Sequence, residues 1–412
     1  MSRRARSALA GLIASGLLIA LALTAASAQA ASLPGTLDTS FGTGGKVLTD
    51  LGVGANGEQI QAVISDAALQ SNGDIVVGGN FGLVRYLPDG RRDASFGTGG
   101  LAQTGFGASA LAIQPNGELV VAGQSGNDFA VARLTTSGAL DPAFGHGGLV
   151  TTPFPAAPDG AAADAVLVEP DGDILAGGDA LLPGTTRNQP VVAQAALALY
   201  SPAGTLVTAL GSGGIVQSAA INTNITTIGT DAAGDIFALP AHAEFSPAGQ
   251  LDSSVTAEPI TVSSHGGDGA FLPNGQSLIA GTVGLGRGFT DVQVQRFNAN
   301  GSTDPAFSNP PFVFATPGFK ESPAAIAVQP NGQIVVVGAH FRSTSVFGVA
   351  RLDTSGSLDS GFGHGGVLTT SFQGGDAASA VLIQPDGDIV AIGSSEDNTT
   401  GVTDIALARY LG

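Results

Sequence analysis

The stretch Gln-Pro-Asn-Gly-Glu-Leu-Val-Val-Ala-Gly runs from Gln114 to Gly123, and two later stretches closely resemble it. They are Gln-Pro-Asn-Gly-Gln-Ile-Val-Val-Val-Gly (Gln329–Gly338) and Gln-Pro-Asp-Gly-Asp-Ile-Val-Ala-Ile-Gly (Gln384–Gly393). The turn glycine of this pattern recurs at Gly73, Gly117, Gly172, Gly234, Gly275, Gly332 and Gly387. A period of about 50 residues indicates stacked supersecondary units that cannot bury their apolar faces alone. We number these units repeats 1 to 7 in chain order.

Within one repeat, glycine-rich turns separate four short apolar segments. In repeat 2 these segments are Ala110–Gln114, Glu118–Gly123, Asp128–Thr135 and a glycine-broken outer segment, Ala139–Phe144 with Gly148–Thr152. The tripeptides Pro115-Asn116-Gly117 and Thr136-Ser137-Gly138 fit tight turns, because Asn and Gly tolerate a positive φ. Four antiparallel strands in each of seven copies predict an all-β fold, a seven-bladed β-propeller.

The two ends of the chain each hold part of one repeat. The glycine of the second turn also occurs seven times, at Gly35, Gly90, Gly138, Gly204, Gly249, Gly301 and Gly356. Leu33–Gly42 supplies a turn and a fourth strand without a third, whereas Ala406–Tyr410 is a third strand without a fourth. We therefore expect residues 36–42 to pair with residues 404–410, so that the N-terminal strand closes the ring against the C-terminal strand.

Charged pairs eight residues apart support this arrangement. An arginine precedes an aspartate by eight positions in four repeats: Arg85 and Asp93, Arg133 and Asp141, Arg296 and Asp304, Arg351 and Asp359. Repeat 3 has Leu199 and Val207 instead, and repeat 4 has the like-charged Glu244 and Asp252. The unpaired members, Asp38 and Arg409, lie at opposite ends of the chain. As exposed pairs they are expected to fix strand register and to stabilise by only ~0.2–1 kcal/mol each.

The segments Leu-Asp-Thr-Ser-Phe-Gly-Thr-Gly-Gly (Leu37–Gly45) and Leu-Asp-Ser-Gly-Phe-Gly-His-Gly-Gly (Leu358–Gly366) carry a family resemblance. Together with the Gln-Pro-Asp/Asn-Gly turns, they resemble the delta-60 repeat family, a bacterial β-propeller family of unknown function. The resemblance implies a secreted propeller and supplies no catalytic residue. Repeat 4 departs most from the pattern, with Ala232-Ala233-Gly234 at the first turn and Val255 in place of the motif's Phe.

Residues 1–30 have the features of an export signal. Arg3, Arg4 and Arg6 precede the uncharged, mostly apolar run Leu9–Ala26, and Ala-x-Ala sequences follow. The alternative is an uncleaved membrane anchor, since the run approaches a spanning length. We expect cleavage, a propeller domain over residues 31–412 and a secreted, monomeric protein without membrane contact. Cleavage would change the net charge from −18 to −21, and this acidity argues against nucleic acid as a partner.

No catalytic motif is recognisable in the sequence. The chain has no cysteine, and the Gly-x-Ser-x-Gly context of hydrolase nucleophiles does not occur. The Asp-Gly-Asp sequences at Asp171–Asp173 and Asp386–Asp388 fit hairpin turns better than calcium loops, because they lack further oxygen ligands in sequence. We therefore name no catalytic residue and no cofactor-binding residue.

One set of carboxylates could bind a metal ion at the mouth of the central channel. Asp66, Asp164 and Asp268 lie seven or eight residues before their turn glycines, near the start of the innermost strand. Glu321 and Asp376, eleven residues before theirs, are expected on the loops above. Converging carboxylates can hold Ca²⁺ or another divalent cation, as in propeller lactonases. The alternative is a solvated acidic rim with no cofactor.

Loop lengths indicate where a partner would bind. The two tight turns of each repeat share one face and vary little, whereas the opposite face carries the variable loops Leu181–Pro190, Gly284–Thr290, His340–Val346 and Ser394–Thr403. Any stacking surface must come from loop residues such as Phe289, Phe341 or Phe347. The leading hypothesis is a non-enzymatic propeller that binds a protein, peptide or surface polymer through this face. The alternatives are a metal-dependent, lactonase-like hydrolase and a structural envelope protein without a specific ligand.

Overall fold

Turns at regular intervals divide the chain into short strands. The computed structural model describes residues 33–54, 57–183, 191–253, 269–286, 288–307 and 310–412. This part contains twenty-six strands and no helix, so no helix within it could cross a membrane. In chain order the strands are β1 (Lys46–Thr49), β2 (Ile64–Leu69), β3 (Ile75–Gly79), β4 (Gly82–Tyr86), β5 (Leu101–Ala102), β6 (Ala108–Ile113), β7 (Leu119–Ser125), β8 (Asp128–Leu134), β9 (Leu149–Thr152), β10 (Ala161–Val168), β11 (Ile174–Leu182), β12 (Val192–Tyr200), β13 (Ile215–Ser218), β14 (Thr227–Thr230), β15 (Ile236–Leu239), β16 (Ala243–Phe245), β17 (Gly269–Phe271), β18 (Ser277–Gly286), β19 (Phe289–Phe297), β20 (Lys320–Val328), β21 (Ile334–Phe341), β22 (Ser345–Leu352), β23 (Val367–Thr370), β24 (Gly375–Ile383), β25 (Ile389–Glu396) and β26 (Thr403–Tyr410).

The strands of each repeat form an antiparallel group in chain order. β2–β5, β6–β9 and β10–β13 are four-stranded sheets, and β14–β16 form a three-stranded sheet. β17–β23 are connected as seven strands, but the strand pairing between β19 and β20 is a single parallel bridge from Thr290 to Lys320. This sheet therefore combines the groups of repeats 5 and 6. The segment after β16 in repeat 4, residues 254–268, lies outside the described residues and includes Val255 of the divergent motif.

Both ends of the chain belong to one sheet, ordered β1-β26-β25-β24. β1 pairs with the last strand from Lys46 opposite Ala408 to Thr49 opposite Ile405. Leu37 forms a separate antiparallel bridge with Tyr410. The expected continuous pairing of residues 36–42 with 404–410 is therefore wrong over most of its length, because only residues 36–38 pair through the backbone with residues 409–411 and β1 takes the place of the rest. The reason is the tight turn over residues 41–45, in which the Gly45 N–H donates to the Phe41 carbonyl oxygen at 2.9 Å.

Apolar packing lies between neighbouring sheets as well as within them. One buried cluster combines side chains of repeats 2 and 3, such as Val131 and Ala176, and another combines repeats 7 and 1, such as Leu407 and Ile75. The innermost strands contact one another in the order β2, β6, β10, β14, β17, β20 and β24, and β24 also contacts β2. Because each sheet is apolar on both faces, no single repeat could be stable alone.

A backbone hydrogen bond fixes the chain after the second turn in all seven repeats. The residue at each Asp position donates its N–H to the carbonyl oxygen of the residue at the Arg position, at 2.8–2.9 Å. The donors are Asp38, Asp93, Asp141, Val207, Asp252, Asp304 and Asp359. This bond persists in repeats 3 and 4, where the charge pair is missing. The like-charged Glu244 and Asp252 are therefore tolerated, although burial and the nearby acids raise the pKa of Glu244.

The arginines are largely buried and also link neighbouring repeats. The Arg409 guanidinium bonds to Asp38 Oδ2 and donates to the carbonyl oxygen of Pro88 in repeat 1, at 2.8 Å in each case. It lies 4.7 Å from the centre of the Phe41 ring. Arg85, Arg133 and Arg296 likewise donate to a carbonyl oxygen in the following repeat. The expectation of exposed pairs was wrong, because the Arg409 and Asp38 side chains are only 11% and 15% exposed.

The glycine of the second turn allows two repeats to approach closely. Gly138 has a φ of +86°, and a Cβ added there would lie 2.9 Å from the Gly97 nitrogen and from the Phe96 ring. The Gly97 N–H donates to the Ser137 carbonyl oxygen at 2.8 Å, so this turn is bonded directly to the preceding repeat. A side chain at this position would separate the two repeats.

Replacing Gly138 by alanine should destabilise the protein more than the same change at Gly99. Both glycines have a positive φ, but a Cβ at Gly99 would have nothing within 4 Å. Gly99→Ala should therefore cost only the backbone strain of about 1–2 kcal/mol. Gly138→Ala should add about 1–3 kcal/mol from the close contact. Denaturant unfolding of both variants measures the difference, and equal costs would contradict this role for the turn.

Arg409→Ala should cost about 2–4 kcal/mol, because it leaves a largely buried aspartate and a carbonyl without their charged donor. The matched control is Arg91→Ala. Arg91 pairs with Asp89 at 2.7 Å but is 74% exposed, so its loss should cost less than ~1 kcal/mol. Midpoints of urea unfolding compare the two variants. Similar losses for both would show that Arg409 does not join the sheets.

Candidate functional site

A β-bulge recurs at the same position of the innermost strand in five repeats. The pairing with the second strand skips one residue, which in each case lies eight positions before the first turn glycine. These residues are Ser65, Ser109, Asp164, Ala324 and Ser379. A bulge turns the extra side chain away from the regular alternation of the strand. All five residues line one cavity.

This central cavity is lined by the innermost strands of several repeats and has a volume of about 350 Å³. Thr226, at the equivalent position of repeat 4, also lines it, together with Asp66 and Thr227. Apolar lining comes from residues such as Ile228 and Ile326. The volume falls in the range of small-molecule sites. No Lys, Arg or His is present among the lining residues that the structure describes.

Asp66 is one of two carboxylates in the cavity lining. Its Oδ1 accepts a hydrogen bond from the Ala67 N–H at 2.7 Å, and its Oδ2 accepts one from the Leu111 N–H at 2.8 Å. The second bond crosses from β2 to β6. Asp66 therefore has a structural role in joining repeats 1 and 2.

Asp164, the other carboxylate, is the bulge residue of repeat 3. The Asn224 Nδ2 donates to Asp164 Oδ2 at 2.9 Å, whereas the buried Asn224 Oδ1 has no hydrogen-bond partner. Asp179 lies behind Asp164 on β11 and is almost fully buried. Burial, and secondarily the charge of Asp164, raise the pKa of Asp179 to about 6. This side of the cavity is rich in hydrogen-bond acceptors and negative charge.

Glu321 and Asp376 lie in strands β20 and β24, not on loops as expected. Both are fully buried and face the residue opposite them on the second strand. Glu321 Oε1 lies 2.7 Å from His340 Nδ1, and the Ser395 hydroxyl donates to Asp376 Oδ1 at 2.6 Å. The innermost strands of repeats 6 and 7 begin early enough to include these acids. Neither residue lines the cavity.

The five carboxylates expected at a metal site are therefore not all together. The structure brings Asp66 and Asp164 to the cavity and places Glu321 and Asp376 elsewhere, while Asp268 lies outside the described residues. Within the described ranges, one group of three acids comes within reach of a single ion: Glu169, Asp171 and Asp173. They surround the first turn of repeat 3, where the Asp173 N–H donates to Asp171 Oδ1 at 3.1 Å. Burial and mutual repulsion raise the pKa values of Glu169 and Asp173.

A second candidate site lies on the loop face, where the loops between second and third strands are found. Leu285, Phe289 and Phe341 are 57%, 40% and 37% exposed near the ends of β18, β19 and β21. Phe289 and Phe341 lie on adjacent hairpins, because Phe289 precedes Thr290, which bridges to Lys320, and Lys320 pairs with Phe341. Leu285 lies in the same hairpin as Phe289. We call Leu285, Phe289, Phe341, Lys320 and Arg342 the loop-face patch.

The two cations of the loop-face patch lie over aromatic rings. The Lys320 Nζ is 5.3 Å from the centre of the Phe341 ring, and the Arg342 guanidinium carbon is 5.5 Å from that of Phe319. The patch thus combines exposed apolar surface with positive charge in an acidic protein. Of the expected binding loops, Leu181–Pro190 is described only as far as residue 183. Phe347, expected as a loop residue, is fully buried in β22.

Comparison with known families identifies the repeats. A family model described as "Domain of unknown function (DUF5122) beta-propeller" matches residues 70–96, 114–144, 272–307, 329–362 and 384–411. These segments belong to repeats 1, 2, 5, 6 and 7, which confirms the expected resemblance to a β-propeller family of unknown function. The two unmatched repeats, 3 and 4, are those without an Arg–Asp pair. No curated protein sequence matches the chain.

Solved structures with similar folds are distant in sequence. An extracellular domain from B. thetaiotaomicron is 16% identical over 88% of this chain, with a TM-score of 0.45, and this chain spans 40% of that chain. A gluconolactonase from Xanthomonas campestris is 15% identical over 92% of this chain and 95% of its own, with a TM-score of 0.39. A protein from Lactobacillus plantarum is 13% identical over 85% and 95%, with a TM-score of 0.46.

The stability of Glu321→Gln relative to the wild type should increase progressively as the pH rises from about 4.5 to about 8. Burial, and secondarily Asp291, raise the pKa of Glu321 from 4.5 to about 8, against the opposing effect of the Phe314 amide. An acid with a raised pKa in the folded state loses stability as pH rises through this window, and glutamine does not ionise. The difference in melting temperature between the variant and the wild type should therefore be about 2 °C or more larger at pH 8 than at pH 4.5.

The matched control for this pH dependence is Glu396→Gln, which removes a carboxylate at the exposed end of β25. Its difference from the wild type should stay nearly constant over the same range. A constant difference for Glu321→Gln as well would show that Glu321 ionises normally in the folded protein.

Proposed function

Because a β-propeller family of unknown function matches five repeats of the chain, we propose that the protein is a secreted propeller that binds a protein or peptide through the loop-face patch. The binding is non-enzymatic and requires no cofactor. The basic start and apolar run of residues 1–30 support export. The observation that carries the binding proposal is the cluster of exposed apolar side chains in the patch.

We further infer that seven blades close into one ring. Four observations support the inference. The strands form seven antiparallel groups in the described ranges, β24 contacts β2, and β1 pairs with β26. The Gly363 N–H also donates to the Pro34 carbonyl oxygen at 3.1 Å, a bond equivalent to the one between Gly97 and Ser137. The N-terminal turn thus occupies the position of a second turn in repeat 7.

The composition of the loop-face patch is typical of a surface that binds a macromolecular partner. Contiguous exposed apolar surface on a soluble protein commonly marks an interaction site, and aromatic side chains dominate binding energies. Leu285 and Phe289 belong to one hairpin and Phe341 to the next, so an occupant would contact two repeats. Lys320 and Arg342 favour a partner that presents acidic side chains beside its apolar ones.

The hydrolase alternative is supported by Asp66 and Asp164, which share the central cavity. Metal-dependent hydrolysis needs an ion held by several ligands and a residue that activates water. In the described part of the cavity lining, no third carboxylate and no histidine accompanies these two aspartates. The binding function is therefore the better supported of the two.

A protein carrying Leu285→Ser, Phe289→Ser and Phe341→Ser should lose its partner in a crosslinking pull-down from the surface fraction of the source cells. Each serine removes an exposed apolar anchor, so binding should fall by tenfold or more, or about 1.4 kcal/mol. The matched control is Val53→Ser with Val63→Ser, which changes two exposed valines outside the patch. Retention of the partner by the triple variant would refute the proposed site. Capture of nothing by the wild type would favour the structural alternative.

A further inference from the structure

We propose that the central cavity is a binding site for a small aliphatic amine in its protonated form. The inference is independent of the loop-face patch, because none of the patch residues lines the cavity. It rests on the side chains that the recurring bulges direct inward and on the charges that accompany them.

The residue at the bulge position is small and, in most repeats, polar. Four of the bulge residues and equivalents that line the cavity carry hydroxyls: Ser65, Ser109, Thr226 and Ser379. Asp164 replaces the hydroxyl in repeat 3 and Ala324 in repeat 6. In four repeats the next residue is a buried alanine: Ala110, Ala165, Ala325 and Ala380. In repeats 1 and 4 it is polar, Asp66 and Thr227. In the five repeats with a described bulge, the break in the ladder places one small, mostly polar side chain in the cavity.

The lining selects the sign of a ligand's charge. Hydroxyls can donate or accept hydrogen bonds, whereas ionised carboxylates only accept. The described part of the lining carries the charges of Asp66 and Asp164, and none of its residues is cationic. Enclosed clefts with charge of one sign concentrate ligands of the opposite sign, and this chain has a net charge of −18. A cation that donates hydrogen bonds matches this lining, and an anion does not.

The surroundings of Asp164 also favour a cation. Asp164 accepts a hydrogen bond from the Asn224 Nδ2, and its negative charge contributes to the raised pKa of the buried Asp179. An ammonium group carries three N–H donors, enough to bond a carboxylate and hydroxyls together. Bound at Asp164, it would offset the repulsion between Asp164 and Asp179.

The arrangement favours an organic amine over a bare divalent ion. Asp66 lies on β2 and Asp164 on β10, with β6 between them in the order of innermost strands. Neither belongs to the one group of three acids within single-ion reach in the described ranges. A divalent ion prefers several oxygen ligands at about 2.0–2.6 Å, whereas a diamine can place one ammonium near each carboxylate. The cavity volume of about 350 Å³ is sufficient for such a chain.

The test is isothermal titration calorimetry of the purified protein at pH 7 in low-salt phosphate buffer, which contains no amine. The probes are 1,4-diaminobutane, 1,4-butanediol and succinate, which share a four-carbon chain and differ in charge. The diamine should bind, with the diol and the dicarboxylate at least tenfold weaker. Asp164→Asn should weaken diamine binding at least tenfold, and Asp171→Asn, an exposed acid in a turn outside the cavity, less than twofold.

Two further measurements keep the outcome unambiguous. Ser379→Leu adds bulk to the cavity without changing charge and should also weaken the diamine at least tenfold, with unchanged far-ultraviolet circular dichroism as the folding check. A competing titration with CaCl₂ tests the metal alternative. Equal binding of the diol, binding of succinate, displacement of the diamine by equimolar Ca²⁺, or no diamine binding at millimolar concentration would each overturn the proposal.

Discussion

The hydrogen bond between the Phe-Gly corner of one repeat, which is Leu210-Gly211 in repeat 3, and the next repeat's second turn is the contact on which the assembly depends. Gly42, Gly97, Gly145, Gly211 and Gly363 donate their N–H groups to carbonyl oxygens of that turn at 2.8–3.1 Å. The turn glycine leaves space for the approach, and the phenylalanine ring, or the Leu210 side chain, is buried beside it. Apolar packing between sheets can form at many angles, whereas these bonds require one geometry. These hydrogen bonds fix the orientation of each sheet relative to the preceding sheet.

Three tyrosines at the ends of third strands also link neighbouring sheets, through threonines of the outer strands. The hydroxyls of Tyr86, Tyr200 and Tyr410 donate to Thr49, Thr152 and Thr370 at 2.7–2.8 Å, each in the sheet of the preceding repeat. All three tyrosines are buried in the packing between sheets. Their hydroxyls find partners because a buried O–H without one would cost free energy. Packing and hydrogen bonding thus reinforce the same neighbour-to-neighbour order.

Much of the fold could be predicted from spacing, whereas the site could not. Turn glycines and strand lengths are local features, so the strands of repeat 2 agree closely with those expected from its sequence. The burial of Glu321 could not be seen, because it depends on His340 standing opposite it across two strands. The bulges were also missed. Ser65 and its equivalents break the alternation by one residue, and small residues at that point look the same in a regular strand. An unusual residue at a fixed repeat position, such as Asp164 among serines, was the available signal.

The sharing of one sheet by both ends of the chain has a consequence for how the protein is made. Asp38 bonds to Arg409 across 371 residues of sequence. During synthesis, β1 emerges first but has no partner strand until β26 has been completed. The early sheets can pack in order as they appear, since each contacts its neighbours, but the last sheet has to wait for the final residues of the chain. Folding therefore ends with a single long-range step, and the unpaired strand remains open to wrong partners until then.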